Sequence, residues 1–254
     1  MTAAGGRPPA LGLFLLEGQR AVLERLALGP STPLLRLAPR GDGQPVLVLP
    51  GFTAGDASTR VLRRFLRRQG FAAHPWLLGR NLGPEPGIRS GLVARIDELA
   101  RRYGRKVSIV GWSLGGIYAR EIAKRKPDRI RQVVTLGSPF ADTGRASNVS
   151  RLFDLVAGGS RPRPRAASGV REAPPMPSSA IFSKTDGVVH WRSCIEPEGE
   201  LTESIEVSGS HCGLGFNPLV LFAVADRLSQ PEGAWRPFDV GGWRSAAYAT
   251  HRSD

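Results

Sequence analysis

KVSIVGWSLGGIYAREIAKR, residues 106–125, is the stretch from which the fold can be read. An apolar, β-branched run (Val107, Ile109, Val110) stops at Gly111, and Trp112, Ser113 and two further glycines lead into an amphipathic segment. The pattern predicts a strand ending near residue 112 and a helix starting at once, with Gly-x-Ser-x-Gly (Gly111 to Gly115) at the junction. A turn that sharp holds its serine in strained geometry, and the flanking glycines remove the Cβ clashes that would forbid it. The Ser113 hydroxyl then stands at a helix N-terminus, where unpaired N–H groups and a positive dipole suit developing negative charge.

A serine hydroxyl is a weak nucleophile until a base takes its proton, and the base needs a carboxylate to orient it. Four histidines are available. His74 precedes Pro75 on an early strand segment, His251 is in the tail, and His190 is only four residues from Asp186. His211 follows the last predicted strand in VSGSHCGLGFNP, among small residues that let a loop approach the sheet, and is the expected base. Asp186 in SKTDGVV comes directly after the preceding strand, with Gly187 permitting a turn, and is the expected acid. Asp142 in SPFADTG, one strand earlier, is the competing acid. Acyl transfer also needs two oxyanion donors: the N–H of Leu114, after the nucleophile, and that of Phe52 in LPGFTAGD, where Gly51 allows close approach. Trp112, beside the nucleophile, is expected either to shape the acyl pocket or to serve as a buried core aromatic.

Outward from this centre, apolar strands alternate with helix-period segments. VLVLP (46–50), FAAHPWLL (71–78), KVSIVGW (106–112), IRQVVTLGSP (130–139), SAIFSKTDGVV (179–189) and LTESIEVSGSHCG (201–213) read as strands or strand ends. DASTRVLRRFLRRQG, capped by Asp56 or Ser58, GLVARIDELARRYG, LGGIYAREIAKRKP and NPLVLFAVADRL read as helices. That alternation implies an α/β class with a mainly parallel sheet covered on both faces. Residues 141–177, rich in Arg, Pro, Gly and Ser, interrupt it and read as a cap or lid. The expected organisation is an N-terminal helix and linker (1–45), a core (46–229) and an irregular tail (230–254).

At 254 residues, 41% hydrophobic and 22% charged, the chain has the make-up of one large packed soluble domain. Its net charge of +13 comes almost entirely from arginine, since only Lys106, Lys124, Lys126 and Lys184 are lysines. Arg60, Arg63, Arg64, Arg67 and Arg68 fall on one helical stripe, expected to face solvent while Val61, Leu62, Phe65 and Leu66 pack inward. No nucleic-acid motif accompanies them, so no nucleic-acid partner is expected. No run approaches the ~18 apolar residues of a spanning helix. The N-terminal ALGLFLLEGQRAVLERLAL lacks the marks of an export signal, which gives a cytoplasmic expectation. It reads as one amphipathic helix that packs on the domain or, with the arginine stripe, contacts an anionic membrane surface.

From Val46 to Leu228 the chain resembles the α/β-hydrolase superfamily, and within it bacterial lipase-like and esterase-like serine hydrolases. The resemblance implies a doubly wound, mainly parallel sheet, a triad on Ser113, Asp186 and His211, and neither cofactor nor metal. It implies hydrolysis of a small-molecule or lipid carboxylic ester. Acyltransferase, amidase and thioesterase reactions use the same machinery, and a non-catalytic binding module is the contrasting class. Haloalkane dehalogenation is disfavoured, because on this fold it uses a carboxylate where Ser113 stands. Pro50-Gly51 replaces the His-Gly that opens many lipase oxyanion loops, and the insertion is short and polar. Both features point away from a true lipase. Some resembling secreted lipases tie the acid and base loops with a disulfide, which here would join Cys194 to Cys212; two reduced thiols are the alternative.

Overall fold

The computed structural model describes residues 9–85, 87–141 and 169–251. Three short N-terminal helices, α1 (Leu11–Leu15), α2 (Glu17–Ala27) and α3 (Thr32–Arg36), lead into β1 (Pro45–Leu49), α4 (Arg60–Arg68) and β2 (Ala72–Pro75). Then follow α5 (Ile88–Tyr103), β3 (Val107–Trp112), α6 (Leu114–Arg125), β4 (Ile130–Leu136) and β5 (Ser178–Phe182). A 3-10 turn (Trp191–Cys194), β6 (Thr202–Val207), α7 (Pro218–Ser229), a second 3-10 turn (Gly242–Ala246) and β7 (Tyr248–His251) complete the described elements.

The strands form one sheet in the order β2-β1-β3-β4-β5-β6-β7, parallel except for β7. Successive side chains on a strand face opposite sides, and the strand sequences exploit this on both faces. Val46, Val48, Val110, Val134 and Leu136 pack with Leu62, Phe65 and Leu66 of α4 and Val220 and Val224 of α7. Leu47, Leu49, Ile109 and Val133 pack with Leu92 and Ile96 of α5 and Ile117 and Ile122 of α6 on the other face. This is the expected doubly wound α/β sheet. Its register places Leu49 beside Gly111 and Gly111 beside Thr135, so β1, β3 and β4 finish level. The loops that follow them meet at one edge.

Four local expectations are corrected. Helix α4 starts at Arg60, and neither Asp56 nor Ser58 caps it: the Asp56 carboxylate accepts the N–H groups of Trp76 and Leu77, and Ser58 Oγ donates back to the Gly55 carbonyl. Arg63 leaves the solvated stripe, because the turn before α4 folds over it. Its guanidinium is buried, donating to Thr59 Oγ1 and the Asp56 carbonyl. The tail is irregular only in its first part: a 3-10 turn follows, and β7 adds antiparallel to β6. Arg227 holds the Arg236 carbonyl, Glu203 accepts the Phe238 N–H, and Tyr248 donates to the Leu219 carbonyl, drawing the tail over α7. Finally, the N-terminal helix breaks at Leu16, and its longer part, α2, packs through its polar side.

Most of the expected cap, including Asp142, lies outside the described residues. The chain returning from it is held by Arg120 of α6, which is fully buried over the Phe140 ring. Arg120 pairs with the Glu196 carboxylate and donates to the carbonyls of Val170, Arg171 and Glu172. A buried arginine is tolerated because nearly every guanidinium donor has an acceptor.

Candidate active site

Ser113 has φ 53° and ψ −120°, a backbone conformation that costs a non-glycine residue roughly 1–3 kcal/mol. The glycines around it leave no alternative. A Cβ on Gly111 would sit 2.4 Å from Gly116 Cα, one on Gly115 2.7 Å from the carbonyl oxygens of Leu49 and Pro50, and one on Gly116 2.0 Å from Ser138 Oγ. The strand-to-helix turn therefore packs backbone on backbone, and α6 begins at Leu114, directly after the serine.

Asp186 and His211 each lie four residues beyond a strand end, after β5 and β6 respectively. The structure brings them together: His211 Nδ1 is 2.6 Å from Asp186 Oδ2, both side chains being buried. Asp186 Oδ1 accepts the N–H groups of Val188 and Val189 at 2.8 and 2.7 Å, which fixes the carboxylate. Gly137, at φ 54° just past β4, leaves the room: a Cβ there would be 3.1 Å from His211 Nδ1 and 3.3 Å from Asp186 Oδ2. Burial works against the imidazolium, but the Asp186 charge and hydrogen bond, with Glu17 adding to them, hold His211 above its ordinary value. No hydrogen bond joins Ser113 Oγ to His211 in this structure. The other histidines are elsewhere: His74 pairs with the Tyr103 hydroxyl, His190 precedes the first 3-10 turn, and His251 on β7 pairs with Glu206. Burial and nearby arginines push His74 down to about 4.

A model described as the alpha/beta hydrolase family matches residues 46–251. The chain belongs to the alpha/beta hydrolase family. Among its relatives is a carboxylesterase of Bacillus subtilis (strain 168), 27% identical over 109 residues, a match spanning 40% of this chain and 44% of that protein. Solved structures sharing the fold include a pyrethroid hydrolase from Sphingobium faniae JZ-2, with a TM-score of 0.53, 17% identity, and coverage of 74% of this chain and 98% of that one. Aspergillus fumigatus lipase B gives a TM-score of 0.54 at 16% identity, covering 80% of this chain and 58% of the other.

In this alpha/beta hydrolase the loop after β1 runs against the elbow: a Cβ on Gly51 would stand 3.3 Å from Ser113 Cβ, so the Phe52 backbone follows close to the serine. The loop is braced by Asn81, fully buried, which donates from Nδ2 to the Pro50 carbonyl at 2.9 Å, while its own carbonyl accepts the Thr53 N–H at 2.7 Å. Nothing in the Asn81 surroundings, GRNLGPEPG, signals that role. Trp112, expected at the acyl pocket, is engaged with the base loop. Its indole N–H donates to the His211 carbonyl at 3.1 Å, and its ring fills the space a Cβ on Gly215 would need.

The cysteines are not bridged. Cys194 is buried in the 3-10 turn with Phe182, Val188 and Val189, while Cys212 is at the surface beside His211. Desolvation within the loop and the Glu17, Asp186 and Glu24 carboxylates push the Cys212 thiol up to about 12, leaving it protonated at neutral pH. Among the described residues no three His, Cys, Asp or Glu side chains converge as a metal site.

The largest feature absent from the sequence reading is a strap. Helix α2 crosses the loops that carry Asp186 and His211 with its carboxylates inward. Glu17, 5% exposed, accepts the N–H groups of Gly187 (2.7 Å) and His211 (3.1 Å) at Oε1, and that of Cys212 (2.9 Å) at Oε2. Arg20 donates to the Thr185 carbonyl and hydroxyl, next to Asp186. Glu24 accepts from Ser210 N–H at 2.7 Å and Asn217 Nδ2 at 3.0 Å. The signal was present: Glu17, Arg20 and Glu24 share one face of the helix, opposite Val22, Leu23 and Leu26.

Proposed function

We propose that this chain is a serine hydrolase of carboxylic esters, with Ser113 as nucleophile, His211 as base and Asp186 as its orienting acid. The observation that carries the reading is the 2.6 Å Asp186–His211 pair, buried beside an elbow that holds Ser113 at φ 53°. The bond at Nδ1 leaves His211 Nε2 to take the Ser113 proton as Oγ attacks the ester carbonyl. The oxyanion that forms is received by the backbone N–H groups of Leu114 and Phe52. The protonated His211 then gives its proton to the departing alcohol, leaving an acyl group on Ser113 Oγ. Water, deprotonated by the same imidazole, releases the acid and restores the serine.

The charge on Asp186 matters at each step, because it favours the imidazolium that appears twice in the cycle. The family assignment and the carboxylesterase among the relatives support an ester over other acyl compounds. Hydrolysis of p-nitrophenyl esters of increasing acyl length, comparing the parent with Ser113→Ala and His211→Ala, tests the reading. It predicts turnover that collapses in both variants, and labelling of the parent by a fluorophosphonate that is lost in Ser113→Ala. A folded parent that neither hydrolyses esters nor takes the label refutes it.

A further inference from the structure

Helices normally bury leucines and show charges to water, and α2 does the reverse, while α1 turns Phe14 inward and leaves Leu11 and Leu15 outside. Glu17, Arg20 and Glu24 face the protein, whereas Leu11, Leu15, Leu16, Val22, Leu23 and Leu26 face outward, Leu15 and Leu26 each 68% exposed. With Leu37, seven of the ten large hydrophobic side chains exposed among the described residues lie within residues 11–37. A concentration of this kind on one face marks a contact surface rather than the ordinary scatter of surface apolar groups.

What borders the ridge selects its partner. Next to it, between α2–α3 and α4, runs a groove of about 930 Å³ whose floor includes Leu28, Leu35, Phe65 and Leu221. Its rim carries Arg25, Arg36, Arg40, Arg60, Arg64 and Arg68, all exposed and none in an ion pair among the described residues. The acids in residues 9–41 are Glu17 and Glu24, both turned to the catalytic loops, and α4 contains none. The face thus combines apolar side chains with unneutralised cations, complementary to a surface of acyl chains under anionic headgroups.

We propose that the outer face of α1–α3, with the arginines of α4, docks this protein on an anionic lipid bilayer. The leucines of α2 enter the headgroup boundary, and the groove arginines pair with lipid phosphates. Because the inner side of the same helix grips the loops carrying Asp186 and His211, docking sets that edge of the sheet toward the membrane.

The test is co-sedimentation of the full chain with vesicles of phosphatidylcholine alone and of phosphatidylcholine containing one-third phosphatidylglycerol, at low and high salt, with light scattering to give the oligomeric state. Binding is expected only with the anionic lipid and is lost at high salt. Arg36→Gln, Arg40→Gln and Arg64→Gln should each weaken it about fivefold. Leu23→Ser with Leu26→Ser should weaken it tenfold or more, with the melting temperature lowered by only a few degrees, since both side chains are mostly exposed. Equal binding to both vesicles, or binding to neither, overturns the proposal on the parent alone. A dimer that Leu23→Ser with Leu26→Ser dissociates, without lipid binding, overturns it in favour of a second copy on this face. None of these readouts depends on ester hydrolysis.

Discussion

Replacing Glu17 tests whether a residue far from Ser113 in the chain sets the geometry of the proposed triad. In Glu17→Ala three N–H donors, the buried ones of Gly187 and His211 and the part-buried one of Cys212, lose the Glu17 carboxylate at once. Hydrogen bonds to a charged group contribute about 1.5–3 kcal/mol each, and the cost is moderated by water entering the vacated space and by no longer burying a carboxylate. A net loss of about 3 kcal/mol is expected, which in a chain of this length lowers the melting temperature by roughly 6–12 °C. Glu17→Gln separates charge from shape. Its amide oxygen can serve some of the three donors, but its NH₂ group must then face at least one N–H, donor against donor. The acid and base loops should shift apart by a fraction of an ångström to about 1 Å, a displacement that lowers kcat by up to 10²-fold with KM nearly unchanged. Because Glu17 is one of the charges holding His211 above its ordinary value, Glu17→Gln also moves the acidic limb of kcat/KM to lower pH. Ester hydrolysis across pH, thermal melts and limited proteolysis of residues 9–40 measure all three effects. Parent-like melting, kcat and acidic limb in both variants would refute the argument that the strap positions the pair.

The parent's own pH dependence follows from His211. It must be neutral to act as base, so kcat/KM should rise with pH along a limb centred above the ordinary ~6.5 of a histidine. Its raised value in the folded state contributes stability that is complete below ~6.5 and lost as pH climbs through the folded value, so activity and this stabilisation run in opposite directions there. Gly111→Ala, which drives a Cβ to 2.4 Å from Gly116 Cα, should distort the elbow and destabilise by about 3 kcal/mol or more, read as insoluble or inactive protein. Arg120→Leu strands the buried Glu196 carboxylate and should cost about 3–5 kcal/mol in a denaturant titration, while Arg120→Leu combined with Glu196→Leu should recover much of the loss.

What could be read from the sequence was whatever has a period or a sharp local constraint. The strand-glycine-serine-helix junction and the alternating apolar strands each depend on residues close together in the chain, and Asp186 and His211 could be placed because each follows a strand end by a few residues. The features that were missed depend on tertiary contacts, most of them between distant parts of the chain, that no period reports. Glu17 meets His211 over nearly two hundred residues, Arg63 is buried by the turn preceding its own helix, and the tail becomes a strand only because β6 presents an open edge and Glu203 and Arg227 hold the approach. Asn81 braces the loop after β1 from a segment with no period at all.

The inverted α2 shows why an apolar helical pattern alone is an ambiguous signal. Hydrophobic periodicity says which residues share a face but not whether that face turns inward, and the decision rests with the polar face's partners. Here the loop N–H groups of Gly187, His211 and Cys212 draw the Glu17 carboxylate in, and Glu24 does the same for Ser210 and Asn217. An unsatisfied buried donor costs about 1–3 kcal/mol, comparable to what a leucine gains by full burial, so several such donors together outweigh the leucines' own preference. The same balance explains the pairing of an exposed leucine ridge with an anchored edge of the sheet: the loops that need the carboxylates leave the leucines of α2 uncovered by any of the described residues.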